Sequence, residues 1–66
     1  MKKLKVIAEK VIVGPNCKVQ LHENDIWDMD LSPNVQGSKV KYWLTKESVS
    51  LLMDGTEIDS YFRSIE

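Results

Sequence analysis

Apolar and polar residues alternate singly in several short runs, and a run of that period can bury one side only as a β-strand. Cys17, Val19 and Leu21 alternate with Lys18, Gln20 and His22; Val40, Tyr42 and Leu44 alternate with Lys39, Lys41 and Trp43. Turn-forming clusters punctuate the runs at Gly14-Pro15-Asn16, Ser32-Pro33-Asn34 and Gly37-Ser38. Residues 3–13 also alternate, with Leu4, Val6 and Ala8 on one face, before the apolar phase shifts to Val11 and Val13. Such a shift predicts a bulge or bend of the kind that lets a small barrel turn a corner. The first turn predicts an antiparallel hairpin between this strand and 17–22.

From Ser48 onward the pattern admits two readings. Asp54-Gly55 is a favoured two-residue hairpin turn. Folding there sets Met53 against Thr56 and Leu51 against Ile58, and gathers Val49, Leu51, Met53 and Ile58 on one apolar face. The alternative is a helix over about 45–53, started by Thr45 and Ser48. Residues 61–66 extend the last strand or form a terminal helical turn. The hairpin reading makes the chain all-β: a small antiparallel five-stranded barrel or bent sheet, SH3-like in preference to OB-like at this length, with one long acidic loop. The helical reading makes it α+β.

With 66 residues the chain forms one domain near the lower limit for a single core. A chain of this size buries only about 60% of the surface its unfolded form exposes. Small scaffolds therefore lean on disulfides, metals or self-association. Cys17 is the sole cysteine and His22 the sole histidine, so neither an internal disulfide nor a Cys/His zinc site can form. Homodimerisation is the support left. A lone cysteine also points to a reducing compartment. Met1-Lys2-Lys3 resembles the start of a signal peptide, but the apolar run behind it is only Val6-Ile7-Ala8. No run approaches the ~18 apolar residues of a membrane span. The expectation is a complete cytoplasmic protein. Its size and lack of catalytic motifs fit small accessory proteins of phages, mobile elements and bacteria.

The overall charge of −1 favours neither acidic nor basic partners, but the charge is segregated. By direct count residues 1–22 carry +4, 22–34 carry −4, 39–46 carry +3 and 47–66 carry −4. The acidic window, HENDIWDMDLSPN, sets Glu23, Asp25, Asp28 and Asp30 around Trp27. Asp28, Asp30, Ser32 and Asn34 take positions 1, 3, 5 and 7 of an EF-hand-like loop. Pro33 stands where Gly is required, and Lys39 where a bidentate Glu is required, so the match fails at the strictest points. Cys17 and His22 lie five residues apart on one strand and face opposite ways, which excludes a nucleophile–base pair. Cys17 shares its phase with Val19 and Leu21 and is expected to be a buried, inert thiol. His22 sits beside Glu23 and Asp25 as a solvated side chain or a weak pH sensor.

Two tryptophans remain. Trp27 either plugs one end of the fold or anchors a partner, with Asp25, Asp28 and Asp30 as an acidic rim that steers it to a basic surface. Trp43 shares its phase with Lys39 and Lys41. It can stack on a nucleobase, anchor a protein interface, or pack on neighbouring lysine stems. Few arginines and the acidic window argue against a continuous phosphate track. Phosphate loops, nucleophile elbows, HExxH and CxxC are absent from the sequence. The leading expectation is a non-enzymatic protein-binding module, an inhibitor or adaptor that docks on a larger partner and needs no cofactor. Behind it stand a small nucleic-acid-binding barrel using Lys39, Lys41, Trp43 and the N-terminal lysines, and a structural subunit that self-assembles through strand edges.

Overall fold

The computed structural model describes residues 2–65. Eight strands and one short helix follow in the order β1 (Lys2–Val6), β2 (Lys10–Val13), β3 (Lys18–Leu21), β4 (Ile26–Met29), β5 (Asn34–Gln36), β6 (Lys39–Lys46), β7 (Val49–Asp54), α1 (Gly55–Tyr61) and β8 (Phe62–Ser64). Every strand pairing is antiparallel. The main sheet runs β5-β6-β4-β1-β8, with β7 on the other edge of β6, and it does not close into a barrel. Of the five-stranded barrel or bent sheet expected from the sequence, the mostly β, antiparallel sheet is found, while the barrel is corrected to an open sheet plus a separate β2–β3 hairpin.

The phase shift in residues 3–13 marks a complete break. β1 joins the main sheet, while β2 turns away and pairs with β3 from Val13↔Lys18 to Lys10↔Leu21. The hairpin over Gly14-Pro15-Asn16 forms where the turn signal placed it. Cys17 is exposed, however, and not buried beside Val19 and Leu21. The Gly14 N–H donates to the Cys17 carbonyl at 2.8 Å, so Cys17 closes the turn and the strand begins one residue later.

The supposed acidic loop contains a strand. β4 lies between β1 and β6 and carries Ile26, Trp27, Asp28 and Met29. It is joined to β3 by a tight turn in which Asn24 takes φ 77°, a left-handed conformation that Asn tolerates well. The Asn24 N–H donates to the Val6 carbonyl, and the Val6 N–H to the Asp25 carbonyl, which fixes the turn to the end of β1. Beyond β4 the chain stays on the same edge of β6. Met29 faces Leu44 and Asn34 faces Lys41, five steps on one strand against three on the other. The two extra residues bulge out around Pro33, which has no N–H to give a ladder, and the Asp30 carboxylate accepts from the Ser32 N–H at 2.9 Å.

The last third corrects both sequence readings. Residues 45–53 form no helix; they finish β6 and build β7 around a two-residue turn, Glu47-Ser48. Glu47 takes φ 55° there. Asp54-Gly55 makes no hairpin either. Asp54 caps α1, its carboxylate accepting from the Glu57 N–H at 2.8 Å. Ile58 and Tyr61 then recur at helical spacing and turn to the core, where Phe62, the first residue of β8, joins them. Burying that stripe wins over the hairpin.

One face of the sheet holds the core. Directly opposed residues in an antiparallel sheet share a side, and the register gathers Leu4, Val6, Trp27, Leu44, Leu51, Met53 and Phe62 there. Leu21 covers them from the hairpin and Ile58 from α1. Each fully buried side chain of this kind contributes about 1.5–3 kcal/mol. Trp27 meets Phe62 edge to face, ring centroids 6.5 Å apart at 86°.

Candidate functional site

The opposite face of the sheet is uncovered. The same register places Lys3 and Lys5 of β1, Ile26 and Asp28 of β4, Lys39, Lys41, Trp43 and Thr45 of β6, and Ser50 and Leu52 of β7 on it. None of these side chains is buried. Trp43 lies near the centre of this face, 42% exposed, on a strand paired along both edges. Leu52 stands directly across from it on β7, and on the other side the Trp43 main-chain carbonyl accepts from the Asp30 N–H at 3.0 Å.

Charges of both signs surround this aromatic. Lys3 Nζ donates to Asp28 Oδ1 at 2.7 Å across the β1–β4 ladder. Lys41 faces Asp54 across β6–β7, although the Asp54 carboxylate is turned to its helix cap. Both partners of the Lys3–Asp28 pair are substantially exposed, so the pair contributes about 1 kcal/mol or less to stability. Its effect is to alternate the sign of charge around Trp43. A phosphate backbone needs a run of one sign; this face offers a patchwork.

The structure brings together Trp43, Lys39, Lys41, Asp28 and the backbone of Asp30. It separates Trp27 and Asp25 from them. Trp27 is 3% exposed on the core side, and its indole Nε1 is buried without a hydrogen-bond partner. Asp25 lies at the turn before β4 with its carboxylate 3.8 Å from Lys46 Nζ. His22 and Glu9 approach to 3.8 Å on the exposed surface. Among the described residues no group of three His, Cys, Asp or Glu could hold a metal ion. No helix there is long and apolar enough to cross a membrane.

Leu52 and Ile26 were not singled out by sequence. Both sit in polar phases of their strands, Leu52 with Ser50 and Ile26 with Asp28. An apolar residue out of phase with its own strand's core side is the signal that finds them.

A second concavity opens on the core side, an open cleft of about 580 Å³ lined among others by Lys2, Met29, Tyr42, Ile58, Phe62 and Arg63. Ile58 and Phe62 on its floor are themselves buried, so they offer a ligand little apolar surface. Arg63 is also engaged, its Nη1 donating to the carbonyls of Asp59 and Phe62. The open sheet face is the stronger candidate.

Comparison with protein-family models, with curated proteins and with solved structures gives no match for this chain.

Proposed function

We propose that the chain is a protein-binding module that docks on a larger partner through the uncovered sheet face, as an inhibitor or adaptor, without catalysis of its own. The observation that carries this reading is Trp43. An aromatic of this size, nearly half exposed at the middle of a well-paired strand, is held rigidly where a partner can bury it. Tryptophan is enriched among residues whose truncation costs an interface most, and such residues sit centrally within a polar rim. Leu52, directly across from Trp43, widens the apolar centre; Lys3, Lys39, Lys41 and Asp28 form the rim, with Ile26 beyond Asp28 at its margin. Mixed charge at the rim selects a partner of complementary pattern and sets its orientation more than it adds affinity. Trp27 is left out of the contact surface because it belongs to the core.

Single-stranded nucleic acid is the runner-up, supported by Trp43 between lysines on one face. Asp28 on the same face, bonded to Lys3, speaks against it.

The test is affinity capture from host lysate with immobilised wild-type chain, Trp43→Ala, and the control Val13→Ala on the distant hairpin. The expected result is a protein recovered by the wild type and the control and lost with Trp43→Ala. Equal recovery by Trp43→Ala contradicts the reading. Quenching of Trp43 fluorescence by an oligonucleotide, steep in salt, would favour the runner-up.

A further inference from the structure

β7 is a strand edge left open. Among the described residues β6 is its sole strand neighbour. Which backbone groups are open follows from the ladder. The Trp43 carbonyl accepts from Asp30, so it points away from β7. In an antiparallel strand the N–H and C=O of one residue point to the same side, and successive residues alternate. Tyr42, Leu44 and Lys46 therefore point at β7, where they meet Met53, Leu51 and Val49. Ser50, Leu52 and Asp54 point outward. The outward strand, VSLLMD, contains no Lys, Pro or bulge to blunt the edge, and its one charged side chain, Asp54, is turned to the α1 cap.

We propose that two copies of the chain associate by pairing β7 with β7, antiparallel and centred on Leu52. This register matches outward groups with outward groups. Leu52 exchanges two backbone hydrogen bonds with the partner's Leu52, and the Ser50 carbonyl accepts from the N–H of the partner's Asp54. Charge agrees with it: each Asp54 stands opposite a serine, and no like charges meet across the seam. On the core side Leu51 comes opposite the partner's Met53. On the open face one apolar row forms across four strands: Trp43, Leu52, the partner's Leu52 and the partner's Trp43. At ~4.8 Å between strands the two indoles stand about 14 Å apart. A six-residue seam buries far less than the ~1,600 Å² of a standard interface, so the dimer forms with rising concentration rather than obligately. The seam runs along the edge of the docking face and shares Leu52 with it, and it doubles that face without covering Trp43.

Sedimentation across micromolar to millimolar concentration tests this, with the wild type, Leu52→Pro and Leu52→Lys. Proline at 52 removes the outward N–H that donates across the seam and leaves the β6 ladder intact. Lysine at 52 sets two like charges directly opposite each other. The wild-type mass is expected to climb from 7.6 kDa towards twice that value, and both variants to stay monomeric with unchanged circular dichroism. A wild-type mass that stays at 7.6 kDa throughout overturns the proposal, and so does a Leu52→Lys variant that dimerises like the wild type.

Discussion

Trp43 stands opposite Leu52 on the uncovered face of the sheet, while Trp27, two strands' worth of sequence earlier, is closed into the core against Phe62. The two indoles therefore sit in opposite environments, one exposed on the open face and one closed into the core. Trp27→Ala should cost about 3–5 kcal/mol, enough to threaten the fold of so small a domain. Trp43→Ala should cost about 1 kcal/mol or less, as expected for a surface position. Urea titration followed by circular dichroism measures both. Acrylamide should quench Trp43 in the native state and leave Trp27 largely protected.

Asp54 caps α1 through its carboxylate, so Asp54→Ala should lower stability by about 1 kcal/mol, with Asp54→Asn close to wild type. If Asp54-Gly55 were instead a hairpin turn, Asn would serve as well but Ala would fail through turn geometry. Backbone NMR separates the two: the Glu57 amide should lose its protection from exchange in the Ala variant alone.

The turns make opposite demands on two positions. Gly37 takes φ 63° with open space around it, so Gly37→Ala should destabilise by about 1 kcal/mol through backbone strain rather than collision. Glu47 already pays that strain at φ 55°, so Glu47→Gly should be neutral or stabilising. Midpoints of thermal unfolding should move in opposite directions, or the second should not fall.

Cys17 is exposed at a turn, so its thiol should react with a thiol reagent in native buffer as completely as in denaturant. Protection of the thiol until unfolding would place it back on the buried side of β3.

These assignments also show what could be read from the residues alone. The alternation of Val40, Tyr42 and Leu44 with Lys39, Lys41 and Trp43 put Trp43 on the lysine side, and the ladder places it there. Gly14-Pro15-Asn16 located the first hairpin because its chemistry is local. Asp54-Gly55 misled because the same dipeptide can turn a hairpin or cap a helix. The choice rests on Ile58, Tyr61 and Phe62 finding the core, which is a tertiary fact. β4 was hidden because Ile26 breaks the short alternation of Trp27 and Met29 with Asp28, and its strand character comes from β1 and β6 on either side. Barrel closure was beyond local pattern altogether. It depends on whether β7 and β8 meet, and α1 spans between them instead.

The central claim is that a partner protein meets the chain at Trp43. The most direct measurement replaces Trp43 by a photo-crosslinking aromatic residue in the living host, with the same substitution at Val13 as a control. The expected result is one discrete protein adduct, larger than two copies of the chain, formed at position 43 and absent at position 13. No adduct at 43, an adduct only to nucleic acid, or the same adduct from both positions would contradict it.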